Sequence, residues 1–237
     1  MTAPDLWPAI DATWPAATQV QHGPFMWREG AGGGSRVSAA RAINRVDSTD
    51  LDAIERKFSD QNRTPLFQLR KKDTAFDTLL AARGYVISDP TLCLIAPTDA
   101  FVPPQFETAY ACWPPIAVQR QIWHAGGVDT SKLNVMALAT SPKTTWLARH
   151  GETPAGTAFV ATFGSIAVLH ALEVAPTCRR SGVGATLMSH AAYWAKDNGA
   201  TTLAVLVTRA NSAALALYSS LGMHEADHYH YRRKGQI

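Results

Sequence analysis

Residues 174–187 read Val-Ala-Pro-Thr-Cys-Arg-Arg-Ser-Gly-Val-Gly-Ala-Thr-Leu, a sequence that predicts a loop between a strand and a helix. The first turn of a helix has free backbone N–H groups and the positive end of the helix dipole, which together favour phosphate oxygens. Gly182 and Gly184 allow a ligand to approach the backbone closely. Arg179 and Arg180 can add charge-assisted hydrogen bonds. The segment therefore predicts a phosphate-binding loop.

This loop differs from two common phosphate-binding patterns. It is not a P-loop, because no Gly-Lys-Ser/Thr follows, and it is not the dinucleotide fingerprint, because Leu187 fills the third glycine position. Another glycine-rich segment, residues 30–35, is predicted to be a turn between strands at 24–29 and 36–43. Since a phosphate site of this kind needs a helix after the loop, the segment 30–35 is not predicted to bind phosphate.

A second informative segment, residues 211–223, reads Asn-Ser-Ala-Ala-Leu-Ala-Leu-Tyr-Ser-Ser-Leu-Gly-Met. It predicts a helix with Asn211 as its N-cap and Gly222 after its last turn. A similar order of strand, capped helix and glycine lies 138 residues earlier, where Gly84 aligns with Gly222. The earlier copy has leucine in place of Tyr218, and no arginine-rich loop precedes it. The sequence therefore contains an internal repeat of which one copy lacks the candidate site.

The two segments together resemble the GCN5-related N-acetyltransferase (GNAT) family. Arg179-x-x-Gly182-x-Gly184 matches the family's pyrophosphate loop, and residues 211–223 match its second motif. This resemblance covers about residues 105–237 and implies an α/β fold with a mixed sheet. The first hundred residues more weakly resemble the half-domain of tandem members. The prediction is a degenerate GNAT-like domain at 1–98, a linker at 99–104 and a complete catalytic domain at 105–237.

The resemblance also implies a co-substrate, acetyl-CoA, and the residues that bind it. They come from the strand before the loop, from the loop itself and from the second motif: Leu172, Val174, Arg179, Arg180, Ser181, Gly182, Val183, Gly184, Ala185, Asn211 and Tyr218. The implied reaction moves an acetyl group directly to a primary amine of a small molecule or a peptide. The alternative is a non-catalytic acyl-CoA-binding or scaffold protein. The enzyme is favoured over it because the arginine-glycine loop, Asn211 and Tyr218 are retained in one copy of the repeat and absent from the other.

Three catalytic tasks follow from this reaction. The resemblance assigns the backbone N–H of Val174 to the thioester oxygen and Tyr218 to protonation of the leaving thiolate. The base that takes the amine proton is left open between His170, Glu173 and a chain of water molecules. Alternation along a regular strand would place His170, Leu172 and Val174 on one face and Glu173 on the other.

The composition and net charge restrict which binding partners and which cellular location are expected. The net charge is only +3 and the basic residues are scattered, so neither nucleic acid nor an anionic membrane is a predicted partner. Three widely spaced cysteines predict neither disulfides nor a metal site, which favours a reducing, cytoplasmic location. No metal is expected, and the protein is expected to be a monomer or a homodimer. Residues 153–172 lack charged side chains but contain breaks typical of a buried hairpin, not of a membrane helix.

Periodicity predicts further elements. Helices are expected near 3–13 and 105–111, and a strand is expected at 134–139, where the sequence is Asn-Val-Met-Ala-Leu-Ala.

Overall fold

A computed structural model describes residues 5–235 of the chain. The helices are α1 (Trp7–Thr13), α2 (Ser35–Ser38), α3 (Ser48–Asp60), α4 (Thr74–Ala82), α5 (Ala117–Ala125), α6 (Thr130–Leu138), α7 (Val183–Asp197) and α8 (Ser212–Ser220). The strands are β1 (Thr18–His22), β2 (Phe25–Glu29), β3 (Arg41–Ala42), β4 (Leu66–Arg70), β5 (Tyr85–Pro97), β6 (Ala109–Cys112), β7 (Lys143–His150), β8 (Thr153–Phe163), β9 (Ile166–Val174), β10 (Thr202–Thr208) and β11 (His224–Lys234). The uncharged stretch 153–172 forms the hairpin of β8 and β9, as the sequence predicts. Within the described part of the chain, no helix is both long and apolar enough to cross a membrane.

The chain divides into two compact units that are not continuous in sequence. The first unit contains residues 5–15, 93–207 and 211–226. The second contains the other described residues, namely 16–92, 208–210 and 227–235. This division differs from the predicted domains at 1–98 and 105–237, because α1 and the strands β5 and β11 do not stay with their neighbours in the sequence.

The first unit is built on a mixed sheet, as predicted. Its strands lie in the order β5, β10, β9, β8, β7, β6. The β9–β10 pair is parallel, whereas β8 pairs antiparallel with both β9 and β7, and β6 is the antiparallel edge strand. Helices cover both faces of the sheet. Gly156 faces α7, where an added Cβ would meet Val183, and the neighbouring Thr157 faces α5, where it accepts a hydrogen bond from Gln119.

The second unit has its own aromatic core. It contains a small antiparallel sheet, β1–β2–β3. It also contains β4, β11 and the first part of β5, which are neighbours in that order in a separate sheet. Phe67 of β4 is fully buried, and its ring contacts those of Phe25, Phe58, Phe76 and Tyr85 in tilted or edge-to-face arrangements. These pairs supply both buried area and a preferred ring geometry, so this unit contains a hydrophobic core of its own.

The internal repeat is visible in the element boundaries. Helices α4 and α8 have the same length at the predicted offset, and each is followed by a glycine with positive φ, 78° at Gly84 and 74° at Gly222. The strand that follows each of these helices begins in one unit and ends in the other. The end of β5 lies beside β10 in the first unit, and the end of β11 pairs with β4 in the second unit.

Three predicted elements are wrong, each because tertiary or capping interactions outweigh a short apolar pattern. Residues 134–138 belong to helix α6, whose N-cap Asp129 accepts a hydrogen bond from the backbone N–H of Lys132. The predicted helix at 105–111 gives way to strand β6, which pairs with β7. The predicted strand at 36–43 is the short helix α2 followed by two residues of β3. The predicted helix at 3–13 begins at Trp7, and residues 3 and 4 lie outside the described range.

Candidate active site

A cavity of about 240 Å³ lies in the first unit, between the end of α5 and the end of β9. It is lined by Gln121, Ile122, Ala125, Gly126, Glu173, Val174, Ala175, Pro176 and Arg179. Three of these residues, Glu173, Val174 and Arg179, were predicted site residues. The lining is mostly apolar, with a single carboxylate and a single guanidinium group.

A β-bulge in β9 determines which side chains face α5. His170 stands opposite Phe159 and Glu173 stands opposite Thr157, so two residues of β9 are placed against the single residue between Thr157 and Phe159. Ala171 accommodates the extra residue with a φ of 50°. Cross-strand partners share a face, so His170 and Glu173 both lie on the α5 side. The predicted placement of these two residues on opposite faces is therefore wrong, because β9 is not a regular strand.

The bulge is held by a buried tryptophan. The indole Nε1 of Trp123 donates to the carbonyl oxygen of Ala171 at 2.7 Å, and the Trp123 side chain is completely buried. A buried carbonyl without a partner would cost free energy, so this hydrogen bond stabilises the bulged conformation.

We expect Trp123→Phe to lower the free energy of unfolding by about 2 kcal/mol or more, because it leaves the Ala171 carbonyl without its donor and removes buried volume. Urea unfolding followed by circular dichroism measures the change. Trp194→Phe, a half-buried position on α7, serves as the control and should cost much less. Equal losses in the two variants would contradict a special role of Trp123.

The Glu173 carboxylate is packed tightly against the end of α5. A Cβ atom added to Gly126 would lie only 2.3 Å from Glu173 Cδ and 2.5 Å from Oε2. Burial raises the pKa of Glu173, and this effect outweighs the influence of Arg179 and of a hydrogen bond with the Val174 backbone, which both lower it. A carboxylate with a raised pKa is a better proton acceptor than an ordinary surface glutamate.

His170 lies in a buried cluster instead of on the cavity wall. Its Nε2 is 2.9 Å from Thr13 Oγ1, and its ring packs against Trp14 with the ring centroids 4.9 Å apart. The Thr13 hydroxyl donates its only hydrogen to the Ala9 carbonyl, so in this pair His170 Nε2 is the donor. The side chain is 5% exposed, so these contacts account for it as a packed core histidine.

The strand pairing leaves the Val174 amide directed away from β8. The next amide, that of Ala175, donates to Ala155 of β8, and successive N–H groups of a strand point to opposite sides. On that other side, β10 pairs with β9 only as far as Val205 and Leu169, although β10 continues to Thr208. The two parallel strands therefore separate before Val174, and the Val174 N–H points into the gap between them.

The loop after β9 has the geometry expected for binding phosphate groups. Gly182 adopts a φ of 86° and directly precedes α7, and Arg180 also has a positive φ, of 64°. The first N–H groups of α7 belong to Val183, Gly184 and Ala185, positions without an intrahelical acceptor. The Arg179 side chain is 59% exposed, so its guanidinium group is accessible from solvent. Ser181 stabilises the turn by donating to the Cys178 carbonyl at 2.6 Å.

Helix α8 carries the two remaining predicted residues. Asn211 caps the helix, because its side chain accepts a hydrogen bond from the Ala214 N–H at 3.1 Å. Tyr218 is 6% exposed, and burial raises its pKa to about 12. Gly184 lets α7 approach α8 closely, since an added Cβ would lie 2.9 Å from Leu217. This contact places the start of α7 beside the helix that carries Tyr218.

The sequence predicts that the helical stretches at 105–125 help to form the acceptor pocket, but it does not identify the individual residues that α5 contributes. Ile122 and Ala125 look like ordinary apolar positions of a helix, and only the pair Gly126-Gly127 after α5 could have signalled a close approach.

The described part of the chain holds no group of three His, Cys, Asp or Glu side chains that could bind a metal ion.

Comparison with known proteins identifies the class. A model of the acetyltransferase (GNAT) family matches residues 104–223, so the chain belongs to this family and its fold supports acyl transfer. A search of the curated proteins gives no significant match. The predicted family and fold class are thus confirmed.

Solved structures extend the similarity beyond that match. A GCN5-related N-acetyltransferase from Kribbella flavida is 19% identical, with a TM-score of 0.72, over 97% of this chain and 93% of that one. One from Sphaerobacter thermophilus is 14% identical, with a TM-score of 0.61, over 84% and 74% of the two chains. A tandem GNAT protein from the clavulanic acid biosynthesis pathway is 13% identical, with a TM-score of 0.65, over 100% of this chain and 90% of its own. At these identities the similarity concerns the fold, and it supports the tandem organisation that the repeat predicts.

Proposed function

We propose that the protein is an N-acetyltransferase that uses acetyl-CoA and acetylates a primary amine of a small molecule or peptide. The observation that carries this proposal is the convergence of Glu173, the Val174 backbone and Arg179 on one cavity, directly before the loop at 179–185. Acetyl-CoA, when bound, supplies the activated acyl carbon and a thiolate leaving group.

Different residues of the chain bind different parts of acetyl-CoA. Arg179 and the first backbone N–H groups of α7 hold the pyrophosphate through charge-assisted and dipolar interactions. The Val174 N–H donates to the carbonyl oxygen, which gains negative charge as the amine attacks. Leu172 lies on the same strand, and Asn211 fixes the start of the helix that carries Tyr218.

Two side chains move protons in this proposal. Glu173 accepts the proton of the attacking amine, since it faces the cavity whereas His170 is enclosed by Thr13 and Trp14. Tyr218 donates its hydroxyl proton to the departing sulfur. Because its pKa is about 12, the phenol stays protonated over the whole physiological range.

The experiment that tests this function uses the full chain, labelled acetyl-CoA and a broad panel of amines. The expected result is saturable binding of acetyl-CoA by calorimetry, together with release of free CoA thiol in the presence of at least one amine. The absence of acetyl-CoA binding would overturn the proposal. Binding without turnover across the panel would instead favour a non-catalytic acyl-CoA-binding protein.

A further inference from the structure

Glu173 pairs with a donor that acetyl-CoA itself requires under the proposed function. Arg179 Nη2 lies 3.4 Å from Glu173 Oε1. In the proposed complex, Arg179 binds the pyrophosphate. The Glu173 carboxylate therefore stands where the pyrophosphate would form a charge-assisted bond.

Packing keeps the carboxylate in this place. The Glu173 side chain is 22% exposed, and the missing Cβ of Gly126 is what allows it to lie against the end of α5. Arg179 is held from the other side, since its Nε donates to the Val174 carbonyl at 3.3 Å. The carboxylate, the guanidinium group and the Val174 backbone thus form one connected group.

Resting on the proposed function, we propose that acetyl-CoA competes with the Glu173 carboxylate for Arg179, so that binding releases this carboxylate toward the acceptor amine. Under this proposal, the bound ligand breaks the internal contact between Arg179 and Glu173, which otherwise neutralises the carboxylate.

Proton uptake is the measurable consequence. Arg179 is the charged group paired with Glu173; the adjacent α5 carries the titratable residues Arg120 and His124, and the cross-strand neighbour Thr157 is uncharged. Loss of the Arg179 contact removes the largest influence that lowers the pKa of Glu173, and the bound pyrophosphate adds negative charge nearby. The pKa therefore rises on binding, and a fraction of a proton is taken up from the buffer at pH values between the free and bound pKa.

Calorimetric titration of the full chain with acetyl-CoA, in buffers of different ionisation enthalpy, counts these protons. The 3′-phosphate of the ligand also titrates near pH 6, so the relevant quantity is the difference between wild type and Glu173→Gln. We expect proton uptake by wild type to exceed that of the variant. We also expect the variant to bind acetyl-CoA about 5-fold or more tightly, because the competing charge-assisted pairing is gone.

Glu152→Gln is the matched control, because it removes another Arg–Glu pair of the same unit, with Arg149 at 2.6 Å. It should leave both affinity and proton count unchanged. Equal proton counts for wild type and Glu173→Gln, or equal or weaker binding by that variant, would overturn the competition. Circular dichroism checks that Glu173→Gln folds like wild type before the two proton counts are compared. Failure of wild type to bind acetyl-CoA at all would instead overturn the proposed function.

Discussion

Replacing Tyr218 with phenylalanine is expected to lower kcat about 100-fold, the usual order of a positioned proton donor, while leaving the Kd of acetyl-CoA nearly unchanged. The substitution removes one hydroxyl oxygen from a side chain that is 6% exposed and otherwise conserves its shape. Without the phenol, the departing thiolate must take its proton from water. Release of CoA thiol under saturating acetyl-CoA measures kcat, and calorimetry measures Kd.

Tyr193→Phe, the same change on α7, is the control for this prediction and should leave kcat unaltered. The pKa of about 12 adds a second expectation. Titration of Tyr218 should produce no loss of activity below about pH 11, because the group loses its proton only near its pKa. A kcat within about 3-fold of wild type would assign the proton donation to solvent instead.

Replacing Glu173 with glutamine is expected to lower kcat/KM about 100-fold and to remove the acidic limb that Glu173 contributes to the pH profile. The sign follows from the base role: the carboxylate must be ionised to accept a proton, so activity falls as the pH falls through its pKa. Burial raises that pKa, so the limb lies above the range of an ordinary glutamate. This loss of turnover accompanies tighter acetyl-CoA binding, and the two opposite effects distinguish a base from a simple binding residue.

Acceptors of different basicity separate the two possible origins of an acidic limb. A limb that moves with the pKa of the amine belongs to the substrate, whereas one that stays fixed belongs to the protein. If the fixed limb persists in Glu173→Gln, the base is another group. His170→Asn would then be the informative variant, although we expect it mainly to destabilise the fold, through loss of the bond to Thr13.

The sequence was a good guide wherever the signal was local. The capped helices α4 and α8, the glycines that follow them and the loop at 179–185 depend on backbone conformations and short-range hydrogen bonds, which a few adjacent residues specify. The repeat was visible for the same reason. The short apolar run at 134–139 was misassigned, because such a run fits a strand and a buried helix equally well and only the Asp129 cap distinguishes them.

The sequence predicts the outline of the candidate site but not its chemistry. Val174, Arg179 and the loop follow from the motif, and the cavity brings the first two together with Glu173. The specific contact of Gly126 with Glu173 could not be predicted, since the two residues lie 47 positions apart and their contact depends on how a helix packs on a sheet.

By itself, the sequence determined the family and predicted the tandem organisation and a phosphate-binding loop, because these rest on motifs whose residues interact with near neighbours in the chain. Only the tertiary structure decided which side of β9 carries Glu173 and where β5 and β11 end. The physical reason is that strand register and pairing depend on distant partners. A single extra residue at Ala171, held by Trp123, reverses the faces of the residues that follow it.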